Sequence, residues 1–93
     1  METDKVISAL NSKMRREILK TISKEPMTVM QVFEELKRRN FEVKYRETVY
    51  RALERLLDAG LVEKYYNPEK GLCYRIKVKL ITLDLANDVI EIR

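Results

Sequence analysis

The chain has no histidine and no tryptophan, and its 93 residues include one cysteine, two glycines and two prolines. Without histidine it lacks the usual general base at neutral pH, the commonest zinc ligand and the commonest pH sensor. Cys73 stands alone, so one chain can form neither an internal disulfide nor a thiolate metal site. There is no glycine-rich loop to cradle phosphates and no carboxylate pair arranged for acid–base work. An enzyme is therefore not expected, and neither a cofactor nor a metal is expected. No apolar run approaches the length that spans a bilayer. Lys5, Lys13 and Arg15 interrupt the opening apolar positions, so no signal peptide is expected and the cytoplasm is the default location.

What is present describes one small, charged, helix-rich domain. Hydrophobic residues make up 45% and charged residues 37%, a folded rather than a disordered composition. A chain of this length buries only part of its surface and often gains stability by pairing. The net charge is +4, and its distribution matters more than its sum. Residues 37–55 carry seven basic and three acidic side chains, whereas residues 80–93 set Asp84, Asp88 and Glu91 against Arg93 alone. A polyanion would meet the middle of the chain, leaving the tail to face elsewhere.

Hydrophobic spacing divides the chain into helices followed by strands. Val6, Ile7, Leu10, Met14, Ile18, Leu19 and Ile22 recur every three or four residues; Ser12 can cap a fresh start within this run, and Pro26 ends it. Thr28 to Gln31 has the spacing of a capping box, and Val29, Val32, Phe33 and Leu36 form the apolar face of a second helix. A third helix carries Val49, Ala52, Leu53, Leu56 and Leu57 on one face and Glu47, Arg51, Glu54, Arg55 and Asp58 on the other. Gly60 supplies the left-handed residue that stops it. The period then changes to alternation. Leu61–Tyr66 predicts a strand, Asn67–Gly71 a turn, and Leu72 to Lys79 a second strand with apolar and basic faces. In the last fourteen residues, Ile81, Leu83 and Leu85 predict a strand, with a turn at Ala86–Asp88 before Val89–Ile92. A short helix capped by Thr82 is the alternative.

This order, a three-helix core followed by a β-hairpin, is that of an α+β, mostly helical winged helix-turn-helix domain over residues 1–79, with a C-terminal extension at 80–93. Ala9 to Leu19 resembles the first-helix signature of ArsR-type regulators, and Thr28 to Leu36 their second helix. Thr48-Val49-Tyr50-Arg51-Ala52-Leu53, with Leu56 and Ala59 to Val62, resembles their recognition helix and its exit. The Thr-Val-Tyr-Arg-x-Leu run is also similar to the DNA-binding domain of ferric-uptake-type regulators. The size resembles minimal archaeal regulators, and the composition fits a thermophile. Met30 to Phe33 holds no Cys-x-Cys pair where metal-sensing ArsR members carry one, so metal sensing is not carried over.

The resemblance implies a sequence-specific regulator that binds double-stranded DNA. Its third helix would enter the major groove and its hairpin would lie on flanking backbone. The candidate contacts are Lys44, Arg46, Thr48, Tyr50, Arg51 and Arg55 around that helix, and Lys70 at the hairpin tip. Arg can bond a guanine edge twice, and hydroxyls can bond phosphate or base. Thr28 and Gln31 could offer a helix start to a phosphate, although simple capping explains the same residues. Arg15 and Arg16 read as surface charge. Lys64, Asn67, Arg75 and Lys77 are either backbone contacts or a solvated hairpin face. Tyr65, Tyr66 and Tyr74 read as rings covering the core. One short helix reads few bases, so a homodimer is expected, with the apolar segment 80–93 as its interface. The rival class is a winged-helix module that docks onto proteins of a transcription or replication assembly.

Overall fold

A computed structural model describes residues 3–92. In chain order it contains α1 (Thr3–Leu10), α2 (Lys13–Ile22), α3 (Val29–Arg38), α4 (Arg46–Asp58), β1 (Val62–Asn67), β2 (Gly71–Ile76), β3 (Ile81–Asp84) and β4 (Val89–Ile92). The architecture is α+β and mostly helical, as expected, but with four helices in place of three. The opening helix divides at Ser12, whose hydroxyl accepts the Arg15 backbone N–H at 3.2 Å. Arg15 and Arg16 then turn back on the first segment. Arg15 Nε donates to the Ala9 carbonyl at 2.6 Å, and Arg16 donates to the Leu10 carbonyl at 2.5 Å. Those carbonyls end α1 and have no helical partner of their own. The two arginines, Arg16 exposed and Arg15 half-buried, thus also cap α1.

The other helix ends follow from particular residues. Thr28 and Gln31 form the reciprocal box: the Thr28 hydroxyl accepts the Gln31 N–H at 3.2 Å, and Gln31 Oε1 accepts the Thr28 N–H at 3.0 Å. Beyond α3, Asn40 takes a left-handed φ of 61°, which lets the Phe41 N–H reach the Leu36 carbonyl at 2.9 Å. Beyond α4, Gly60 does the same at φ 78°, and the Leu61 N–H reaches the Leu56 carbonyl at 3.0 Å.

The core lies among α2, α3 and α4. Ile18, Ile22, Val32, Leu36, Val49, Leu53 and Leu56 are fully buried, joined by Val6 from α1 and by Leu61, Val62 and Tyr74 from the first hairpin. A Glu17–Arg39–Glu35 ion-pair chain, at 2.9 and 3.2 Å, links α2 to the end of α3.

In the first hairpin β1 and β2 pair antiparallel, from Val62 opposite Ile76 to Asn67 opposite Gly71. Met27, just before α3, bridges to Tyr74 through two backbone bonds of 3.0 and 2.8 Å and edges the hairpin like a third strand. The expected alternation fails here. Cys73 and Tyr74 are both fully buried, whereas Leu72 is 49% exposed. β1 and Met27 pair with the two edges of β2, and α2 and α3 pack against it, so that neighbouring Cys73 and Tyr74 are both covered at mid-strand. Leu72, one residue from the turn, lies beyond that cover. β2 also stops at Ile76, short of the expected Lys79, because the Lys77 and Val78 N–H groups turn to the Leu61 carbonyl. Of the three tyrosines read as core cover, Tyr66 is 69% exposed.

The last residues form a second hairpin, with Ile81 opposite Ile92 and Asp84 opposite Val89. The strand alternative holds and the helix capped by Thr82 does not. Among the described residues β3 and β4 pair only with each other.

Candidate nucleic-acid interface

At 3.6 residues per turn, α4 divides into a buried face, an outer crest and two flanks. Val49, Ala52, Leu53 and Leu56 form the buried face. Glu47 and Arg51 stand on the crest, joined by an exposed ion pair of 3.2 Å. A pair so open to water contributes little to stability, so both groups are free to exchange partners. Arg46 and Tyr50 lie on the flank towards the first hairpin. Thr48 and Arg55 lie on the flank towards α2.

The first flank borders an open groove of about 550 Å³ between the start of α3, the first turns of α4 and the hairpin tip. Thr28, Arg46, Tyr50 and Lys70, four of the expected contact residues, line it with Glu47 and the apolar side chains of Val29, Met30 and Leu72. Arg46 and Lys70 have no ion-pair partner among the described residues. Lys70 is held at the tip by Asn67, whose Oδ1 accepts the backbone N–H groups of Glu69 and Lys70 at 2.9 and 3.1 Å. Thr28 and Gln31 spend their oxygens on the capping box. What α3 presents to the groove is therefore its first-turn backbone N–H groups. Lys44 is exposed just before α4 and does not line the groove.

The second flank borders a smaller groove of about 280 Å³, where Thr48, Arg51 and Arg55 meet Arg15. Arg55 donates to the Ser8 hydroxyl. Burial, and secondarily the nearby Arg55 charge, lower the pKa of Arg15.

The basic stripe read from residues 37–55 is narrower in space than in sequence. Arg38 and Arg39 are engaged by Glu35 and Glu17 at the far end of α3, and the Lys37 ammonium sits 5.1 Å from the centre of the Phe33 ring. On the hairpin, Lys64 and Arg75 are also paired, to Glu54 at 2.9 Å and to Glu63 at 2.6 Å.

Glu54 is the residue that sequence reasoning missed. Its carboxylate accepts from the Tyr74 hydroxyl at 2.5 Å and from Lys64 at 2.9 Å, which ties α4 to the hairpin. Those two hydrogen bonds, Tyr74 first, hold the Glu54 carboxyl below the usual carboxylate range. Burial, and then Glu54, push the Tyr74 phenol up. The three residues come from separate elements, and no local spacing joins them.

No protein-family model matches the chain, and no curated protein matches it. Solved structures do. The ferric uptake regulator of Vibrio cholerae matches over 95% of this chain and 72% of its own, at 17% identity and a TM-score of 0.66. The ferric uptake regulator of Pseudomonas aeruginosa, solved with manganese, matches over 100% and 75%, at 18% identity and a TM-score of 0.64. A manganese uptake regulator matches over 96% and 70%, at 16% identity and a TM-score of 0.62. At such identities the likeness is one of fold, a winged helix. The residues here do not fit a metal sensor. There is no histidine, the one thiol is buried, and no group of three His, Cys, Asp or Glu side chains among the described residues could hold an ion. Among the described residues, no helix is long and apolar enough to cross a membrane.

Proposed function

We propose that the chain is a transcriptional regulator that binds double-stranded DNA in a sequence-specific manner, as a homodimer. One observation carries the reading. The apolar side of α4 is sealed in the core, and its opposite side stands open beside a groove bearing the unpaired cations Arg46 and Lys70. In the major groove, the crest residue Arg51 would leave Glu47 for a guanine edge, and Glu47 could accept from a cytosine amine. The sugar–phosphate strand would follow the wing-side groove. Its phosphates would meet Arg46, Lys70, the Tyr50 hydroxyl and the first N–H groups of α3 after Thr28, and its sugars would rest on Met30 and Leu72. Lys44 would reach backbone beyond the start of α4.

The dimer would form through segment 80–93, where Leu80, Leu83, Leu85, Val89 and Ile92 are exposed on a hairpin that has no other strand to pair with among the described residues. A patch of this kind marks an association surface. The exposed Met30 and Leu72 also suit a protein ligand, which keeps the docking-module reading specific: such a module would have no affinity for duplex DNA.

The test is to select the preferred duplex from a random pool and titrate it with wild-type protein and Arg51→Ala. The substitution should cost about 1–3 kcal/mol on the selected site and less on random duplex. Equal losses on both would make Arg51 a phosphate contact, and no enrichment of any sequence would refute specific recognition.

A further inference from the structure

The groove on the α2 side of α4 has a chemistry that the wing-side reading does not use. Arg15 and Arg55 meet there beside the Thr48 hydroxyl, and no carboxylate lines the space. Both guanidiniums are held in place. Arg15 spends Nε and one terminal nitrogen on the Ala9 and Ser8 carbonyls, at 2.6 and 3.1 Å, and Arg55 donates to the Ser8 hydroxyl. Neither has a salt-bridge partner among the described residues. Asp4 and Asp58 lie on the far side of Arg55, in a separate recess, where Asp58 pairs with Lys5 at 3.3 Å. Two fixed like charges with no anion between them repel, and an anion relieves that repulsion. A planar guanidinium with free N–H groups suits phosphate oxygens in particular.

The position selects which phosphate. A helix with its side chains is about 10–12 Å across, and the major groove is about 12 Å wide, so a helix lying in it has one backbone on each flank. Arg46 and Lys70 serve one flank. We propose that Arg15 and Arg55, with the Thr48 hydroxyl, form a second phosphate seat that grips the other DNA strand across the major groove. The corner between α1 and α2 is then part of the interface: it fixes both guanidiniums through Ser8 and Ala9. This inference rests on the DNA-binding reading above.

The experiment is phosphate-ethylation interference on the selected duplex, with wild-type protein, Arg55→Gln, Thr48→Val and Lys70→Ala. Arg15→Lys joins the set, because it keeps the charge but loses the fork that caps α1; thermal melts identify any variant that fails to fold. Arg55→Gln should abolish interference at phosphates of one strand and spare those that Lys70→Ala abolishes. It should lower the salt slope by about one and leave base preference unchanged. Thr48→Val should weaken interference at the same phosphates as Arg55→Gln. An Arg55→Gln pattern identical to wild type, with the Lys70→Ala pattern altered, would overturn the second seat and leave DNA binding standing. No interference on any duplex by wild-type protein would overturn both.

Discussion

The two hairpins of this chain are built alike and situated differently. Each is closed by an Asx turn: Asn67 Oδ1 accepts the N–H groups of Glu69 and Lys70, and Asp84 Oδ1 accepts those of Ala86 and Asn87. Each return strand follows a residue of positive φ or begins on one, Gly71 in the first hairpin and Asp88 in the second. The first hairpin is anchored. Tyr74 is fully buried, its backbone is bridged to Met27, and its hydroxyl reaches Glu54. The second rests on the core through Ile81 and Ile90 and leaves Leu83, Leu85, Val89 and Ile92 exposed. Local turn chemistry makes a hairpin, but burial decides what the hairpin is for. A strand pinned at its middle can carry a rigid tip with Lys70 on it.

Three variants break or sharpen this contrast. Tyr74→Ala removes the largest fully buried side chain, and large aromatic truncations in cores cost about 3–5 kcal/mol. The melting temperature should fall sharply; a fall of only a few degrees would mean the wing is not anchored through Tyr74. Leu83→Asp with Leu85→Asp, in the second hairpin, should leave helical circular dichroism unchanged and turn the proposed dimer into a monomer by sedimentation. A dimeric double variant would remove the hairpin from the interface. The smallest effect is a pH dependence. The carboxyl of folded Glu54 titrates below the ordinary glutamate value of 4.5, so its bonds to Tyr74 and Lys64 add stability that is fully present above that value. That stability is lost as pH falls through the lower folded-state value. Glu54→Gln should flatten the stability–pH curve in that acidic window and leave the curve above it parallel to wild type. An undiminished slope in that window would place the acid-sensitive group elsewhere.

The helices were legible in sequence because their signals are local. Ser12, Thr28 with Gln31, and Gly60 each mark a helix boundary through bonds made within a few residues. The face of α4 was legible because a helical period reports its own burial. The wing was only half legible. Alternation predicts one covered face, yet neighbouring Cys73 and Tyr74 are both buried, in a strand that packs against helices remote in sequence. The free cations were also not legible as such. Residues 37–55 carry seven basic side chains against three acidic ones, yet Arg38 and Arg39 are engaged by Glu35 and Glu17, and Arg51 by Glu47. Lys44, Arg46, Arg55 and Lys70 have no acidic partner among the described residues. Pairing across elements is a property of the fold, and composition counts charges without knowing which are already neutralised.

A salt titration of duplex affinity with the wild-type chain tests the central claim most directly. With cations on both flanks of α4 gripping phosphates, log Kobs should fall linearly with log salt, at a slope of about −0.9 for each phosphate neutralised and about −4 or steeper for the whole chain. No measurable affinity for any duplex at low salt, or an affinity indifferent to salt, would contradict the account and leave the open face of α4 to a protein partner.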